Sequence, residues 1–204
     1  MAEVVPLETQ GKAEPMNKLK LAVIVGSNRS ESINAKLANA LIGLVEDRVD
    51  ARLIQIDDLP MYNPDLEGAR PEAVQRFTRE VAAADAILVV TPEHNRSVPA
   101  VLKNAIDWGS KPAENNVWKG KVAAITGTSP GAIGTAVGQQ HLRQILGILG
   151  SLVIGGEAYI SFKPDLLDAE GRFGNESTRA FLGAYMEQLL ELAGRISEAP
   201  AKAA

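Results

Sequence analysis

Short apolar runs alternate with helical patterns along most of this chain. Leu19–Val25 (LKLAVIV), Ala86–Val90 (AILVV) and Lys121–Ile125 (KVAAI) are β-branched and nearly unbroken by polar residues. Runs of this length fit strands covered on both faces and are too short for core helices. After the first run, Ile33, Leu37, Leu41, Leu44 and Val45 share one face at a period of 3.6. The pattern predicts strands near residues 19–25, 50–56, 86–91, 120–126 and 151–160. It predicts helices near 32–47, 71–84, 99–110, 134–149 and 176–196. Such alternation implies a parallel sheet, helices on both faces and right-handed crossovers.

Five strands of this kind suit a three-layer α/β sandwich with strand order 2-1-3-4-5, whose ligand sits where the order reverses, between strands one and three. Residues 1–17, polar with Pro6, Gly11 and Pro15, suggest a mobile tail, and 197–204 a frayed one; 18–196 forms the domain. Asp57–Arg70 is expected to be a loop over the sheet edge. Phe181, Tyr185, Leu189, Leu192 and Ile196 form the expected core stripe of the last helix. Trp108 and Trp118 suit either the core or a subunit interface.

Three loops at one edge of that sheet carry the candidate chemistry. The first, Gly26-Ser27-Asn28-Arg29-Ser30-Glu31-Ser32-Ile33-Asn34, joins a strand to a helix N-terminus. Free N–H groups and the positive dipole end there favour an anion. Ser27, Ser32 and Asn34 add neutral donors, and Arg29 adds a fork suited to phosphate oxygens. For Ser32 the alternative is a plain N-cap. Neither G-x-x-x-x-G-K-[ST] nor a G-x-G-x-x-G after the first strand is present, so the simplest ligand is a mononucleotide.

The second loop, Thr91-Pro92-Glu93-His94-Asn95-Arg96-Ser97-Val98-Pro99, is stiffened by two prolines and can present backbone groups to a flat ring. Asn95 and Ser97 could equally satisfy the loop's own backbone. The third, Thr126–Gly134, is rich in small residues that permit close approach of a ligand to the backbone.

These residues resemble the flavodoxin-like NADPH-dependent FMN reductases, chromate/quinone reductase branch. The resemblance rests on G-S-x-R-x-x-S-x-N at Gly26–Asn34 and on P-E-x-N-x-S-x-P followed by Leu102-Lys103-Asn104-Ala105-Ile106-Asp107-Trp108. Gln139-x-His141-Leu142-Arg143 adds to it, and it spans about Lys18 to Ile196. It implies an FMN phosphate held by Ser27, Arg29, Ser32 and Asn34. Pro92, Glu93, His94 and Asn95 would line the isoalloxazine, and Thr128, Ser129 and Gly131 would flank the ribityl chain and ring. NADPH or NADH would be the co-substrate. Many relatives carry tyrosine where this chain has His94. Some place arginine and tyrosine at Val137 and Gln140, in a polar contact between subunits. A homodimer is therefore expected, and a homotetramer less so.

Composition narrows the alternatives. The 204 residues are 46% hydrophobic and 23% charged, with a net charge of −4, which suits one globular domain and argues against nucleic acid as a partner. Without cysteine there is no disulfide or thiolate chemistry, and the chain suits a cytoplasmic location. His94 and His141 lack metal-ligand spacing, so no metal site is expected. No stretch approaches the roughly 20 apolar residues that span a bilayer. With FMN bound, the cofactor would carry the redox chemistry and no protein acid or base would be required. The expected activity is ping-pong hydride transfer from NAD(P)H to small flat or electron-poor acceptors: quinones, azo compounds, free flavins, or metal oxyanions such as chromate. A flavodoxin-type electron carrier and a non-redox nucleotide-binding module are the rivals.

Overall fold

The computed structural model describes residues 18–197. The expected N-terminal tail, 1–17, and residues 198–204 of the expected C-terminal tail lie outside the described residues. Chain order is β1 (Leu19–Val25), α1 (Ile33–Gly43), β2 (Val49–Leu53), α2 (Glu72–Ala82), β3 (Ala86–Val90), α3 (Ala100–Gly109), β4 (Val122–Ser129), α4 (Ala136–Ile148), β5 (Leu152–Val153), β6 (Ala158–Ser161) and α5 (Glu176–Ser197). The strands are parallel in the order β2-β1-β3-β4-β5, with β6 also on β4. This is the expected flavodoxin-like three-layer sheet.

Side-chain alternation builds the layers. Leu21, Val23, Leu88, Val90 and Ala124 pack against α1 and α5, while Ala22, Ile24, Ile87, Val89 and Ile125 pack against α2, α3 and α4. Every residue of β3 is buried, as a central strand with helices on both sides requires.

The fifth predicted strand is two short strands. β5 pairs with Val122 and Ala123, and β6 pairs with Thr126–Ser129, so the ladder has a gap beside Ile125. The Tyr185 hydroxyl fills it, donating to Ile125 O (2.8 Å) and lying 3.2 Å from Ile125 N. A buried backbone pair left open there would cost the desolvation of both groups. Burial also raises the Tyr185 pKa.

Several expectations need correction. Thr126–Ser129 is strand, not loop: the threonines are β-branched, lie on one face of the sheet either side of Gly127, and pair with β6. The core face of α5 is rotated one position from the expected stripe. Leu182, Tyr185, Met186, Leu189, Leu190 and Ala193 are buried, whereas Phe181 and Ile196 are 49% and 43% exposed. Trp108 and Trp118 are both fully buried within the chain, so neither supplies an interface. Trp108 Nε1 donates to Pro60 O (2.7 Å) and Trp118 Nε1 to Ile106 O (3.0 Å), which satisfies both indoles.

The Asp57–Arg70 loop is anchored to α2 and α3. Asn104 on α3 accepts from Tyr62 N (2.8 Å) and donates to Leu59 O (3.3 Å) and Pro60 O (3.0 Å). Arg76 forks onto both oxygens of Asp58 (2.7 and 3.0 Å), which lowers the Asp58 pKa. Residues 64–69 form a 3-10 turn.

Candidate functional site

The three loops do meet, at the carboxyl ends of β1, β3 and β4. Thr91 is where they touch. It follows β3, is fully buried, and lies between two glycines. A Cβ on Gly26 would fall 2.3 Å from Thr91 Oγ1, and one on Gly127 would fall 1.9 Å from Thr91 O. The three strand ends approach this closely because neither glycine carries a side chain. Gly26 N donates to Val90 O (2.9 Å) and Thr91 N to Thr126 O (3.0 Å), carrying the ladder to the edge.

In the first loop, Ser32 is the N-cap of α1: its hydroxyl accepts from Ala35 N at 3.3 Å and the residue is 4% exposed. Ile33 and Asn34 occupy the first turn, where backbone N–H groups have no intrahelical acceptor. Ser27 is half-buried and its Oγ accepts from Arg29 N at 3.3 Å, which folds the loop back on itself. Arg29 is exposed and makes no ion pair among the described residues. Ser27, Asn28, Arg29 and Ser30 line a depression of about 350 Å³ against residues 53–57. This donor set, a helix N-terminus plus an uncommitted guanidinium, fits a phosphate.

Asn34 is placed differently from the other three. It is 1% exposed, and its amide is engaged with the third loop: Nδ2 donates to Thr128 O (3.0 Å) and Oδ1 accepts from Thr128 N (2.9 Å).

The second loop turns between His94 and Ser97, whose backbones exchange hydrogen bonds of 3.0 and 2.9 Å. Asn95 (φ 49°) and Arg96 (φ 64°) both have left-handed backbones, which makes this a type I′ turn. Asparagine tolerates that conformation; arginine adopts it at a cost. Glu93 holds the turn. Its side chain is only 8% exposed, with Oε1 3.2 Å from Arg96 Nη1 and Oε2 accepting from Gly138 N at 2.9 Å. Gly138 lies in the first turn of α4, so the Glu93 carboxylate caps that helix. A Cβ at Gly138 would meet Ser97 O at 3.1 Å, so glycine permits the approach. Pro92 is half-buried, while His94 and Asn95 are exposed. They border an open groove of about 640 Å³ between α3 and α4, where Ser97 Oγ lies 3.1 Å from His141 Nδ1.

We expect Glu93→Ala to destabilise the ligand-free protein by about 1–3 kcal/mol, the scale of a hydrogen bond to a charged group. Glu93→Gln, which keeps an acceptor but loses the charge at the helix end, should cost about 0.3–1 kcal/mol. Urea denaturation measures both. Equal stability of all three proteins contradicts the cap.

In the third loop Thr128 is fully buried, with Oγ1 donating to Ile160 O (2.8 Å) and its backbone N and O taken by Asn34, so it leaves no free polar group for a ligand. Ser129 Oγ donates to Gly134 O (2.6 Å) and accepts from Gly131 N (3.3 Å). Ser161 Oγ reaches Gly131 O and Ala132 O at 3.0 and 3.1 Å. These bonds set the turn and leave Gly131 exposed at its tip. Sequence reasoning missed Ser161, Gly138 and the reach of Asn34, because each acts across 30 or more residues and leaves no local pattern. Among the described residues no cluster of His, Cys, Asp and Glu could hold a metal ion, and no helix is long and apolar enough to cross a membrane. A separate groove of about 980 Å³, between α1, residues 167–174 and α5, is lined by none of the loop residues.

Comparison with known proteins agrees with this geometry. Residues 19–165 match the family described as NADPH-dependent FMN reductase. A 2-hydroxy-1,4-benzoquinone reductase from Burkholderia sp is 44% identical over 171 residues, covering 83% of this chain and 93% of the relative. A quinone reductase from Pseudomonas putida is 46% identical over 170 residues, covering 82% and 91%. Among solved structures, the flavoenzyme NAD(P)H:(acceptor) oxidoreductase FerB from Paracoccus denitrificans superposes with a TM-score of 0.84 at 41% identity, covering 87% of this chain and 98% of that one. The family match runs over more than half of the chain, which therefore belongs to the NADPH-dependent FMN reductases, taking FMN as cofactor and NAD(P)H as electron donor.

Proposed function

We propose that this chain is a quinone reductase working by ping-pong hydride transfer, with azo compounds, free flavins and oxyanions such as chromate as further acceptors. The observation that carries this reading is the crevice at the ends of β1, β3 and β4. It joins a phosphate-competent helix N-terminus to a rigid, exposed turn beside an open groove. The similarity to quinone reductases supports the acceptor class. The reaction is NAD(P)H + H⁺ + quinone → NAD(P)⁺ + hydroquinone, with the proton drawn from water.

FMN supplies hydride acceptance and electron delivery when bound. The protein binds and orients. Arg29, Ser27, Ser32 and the free first-turn N–H groups of α1 would hold the phosphate. The I′ turn of His94 and Asn95, with Pro92 behind it, would support the ring, and Glu93 would fix that turn to α4. The Ser129–Gly131 turn would border the ribityl chain. Backbone N–H groups of these loops are fixed in place, so they would stabilise negative charge on the ring without reorganising. Steady-state oxidation of NAD(P)H with a benzoquinone is the test. Parallel double-reciprocal lines and a requirement for FMN support the reading; no turnover with FMN bound would leave an electron carrier instead.

His94 would form a wall of the ring site and carry no proton essential to turnover. His94→Tyr should keep quinone reduction within about tenfold, or ~1.4 kcal/mol of barrier. A thousandfold loss with FMN still bound would assign chemistry to this imidazole.

We also propose a homodimer that helps to close the site. Burial of both tryptophans removes one motive, but α4 carries Ile148 at 85% exposure next to the groove lined by Val98 and Ile145. A symmetric pair is the commonest way to cover such a face. A homotetramer built on residue 140 has less support, because the Gln140 amide is used within the chain, donating to Glu157 Oε1 (2.7 Å) and Tyr159 OH (2.6 Å). Light scattering should give twice the chain mass at micromolar concentration. A monomer with full FMN occupancy and activity would contradict the shared site.

A further inference from the structure

We infer that Asn34 is a positioning residue: it joins the phosphate loop to the third loop and is not itself a ligand of the FMN phosphate. The inference rests on the reading of this crevice as the FMN site and goes beyond it in separating two roles within one sequence motif.

The argument begins with the sheet. In a parallel strand, successive residues point their N–H and C=O groups to opposite neighbours. Thr126 O accepts from Thr91 N, so Thr126 and, two residues on, Thr128 point towards β3. But β3 ends at Val90, and its chain leaves the sheet at Pro92 to form the ring loop. Thr128 N and O are thus left facing a missing strand. The Asn34 side chain takes its place, one amide supplying both a donor (3.0 Å) and an acceptor (2.9 Å) to the same residue. Tyr185 does the same for Ile125 on the opposite edge of β4. Asn34 belongs to the first turn of α1, next to the N-cap that would meet the phosphate. Thr128 roots the turn Ser129–Gly134, set by Ser129 and Ser161. One buried side chain therefore fixes the distance between the phosphate end and the ribityl end of the site.

A phosphate ligand and a positioning strap differ in what they recognise. Loss of a phosphate ligand weakens FMN and spares riboflavin, which has no phosphate. Loss of a strap weakens both. We expect Asn34→Ala to weaken FMN and riboflavin by the same factor, about tenfold for two buried hydrogen bonds. Arg29→Ala, on the same titrations, should weaken FMN alone. Asn34→Asp, which keeps the acceptor for Thr128 N but sets a carboxylate oxygen against Thr128 O, should not restore affinity for either ligand. Leu37→Ala, in the core on the same helix, controls for general destabilisation and should leave both affinities of the folded protein unchanged.

A second readout needs no flavin. Amide hydrogen exchange of the ligand-free protein should speed up at Thr128 and through residues 129–134 in Asn34→Ala, with α5 unaffected. A loss confined to FMN would make Asn34 a phosphate ligand and overturn the inference. So would unchanged affinity for both ligands, unchanged exchange at Thr128, or an equal loss in Leu37→Ala. Failure of the wild-type chain to bind FMN would instead overturn the reading of the crevice, while the exchange experiment would still decide whether Asn34 braces Thr128.

Discussion

Replacing Arg29 by alanine should weaken FMN by roughly 10- to 150-fold and leave riboflavin binding and the fold unchanged. The guanidinium is exposed, makes no ion pair among the described residues, and lies four residues before the first turn of α1. Its loss therefore removes a charged partner from the phosphate and disturbs nothing in the ligand-free protein. Hydrogen bonds to charged groups are worth about 1.5–3 kcal/mol, which converts to that range of affinity. Lysine at this position should recover part of the loss, because it restores the charge but not the fork. Fluorescence titration with both flavins measures the effect. Unchanged FMN affinity in Arg29→Ala would place the phosphate elsewhere.

The second large effect concerns stability. Gly127→Ala should cost about 3 kcal/mol, the upper end of ordinary overpacking, because the new Cβ would lie 1.9 Å from the carbonyl oxygen of Thr91 and 2.6 Å from Thr135 Oγ1. The first of these is backbone in the middle of three converging strand ends, so the sheet itself must shift. For a domain of this size the melting temperature should fall by about 6–12 °C. Gly147→Ala is the contrast. It lies within α4, meets nothing within 4 Å, and should stabilise by about 0.4–1 kcal/mol. Thermal melts of the two variants beside the wild type give the comparison. A Gly127→Ala protein as stable as the wild type would mean that the strand ends are looser than this geometry.

How far the sequence could be read depends on the range over which each feature acts. β1, β3 and α3 were legible because continuous apolar runs and a 3.6 period are local signals. The Gly155-Gly156 pair marks the break between β5 and β6 locally, but its closure by Tyr185, 60 residues from Ile125, leaves no local pattern. The stripe on α5 was displaced by one position because Phe181 and Leu182 are equally apolar and only the packing of the sheet chooses between them. The site shows the same division. The clustering of Ser27, Arg29 and Ser32 at a helix start was visible in nine residues. The neighbours of Asn34 and Glu93 were not: they were grouped by type with the cofactor ligands, yet their partners, Thr128 and Gly138, lie 94 and 45 residues away. Residue type picks out the polar side chains of these loops, and only the fold shows that Asn34 and Glu93 are committed to partners on other elements.

The central claim is that one site passes electrons from a reduced nicotinamide to a quinone through FMN. Its most direct test is an anaerobic two-step titration of the FMN-loaded protein, followed by visible absorbance. NADPH or NADH alone should bleach the yellow colour in proportion to bound FMN, with no acceptor present. A benzoquinone added afterwards, once excess nicotinamide is removed, should restore the colour and yield one hydroquinone per flavin. Colour that persists under NAD(P)H, or that bleaches only when donor and quinone are present together, contradicts the account.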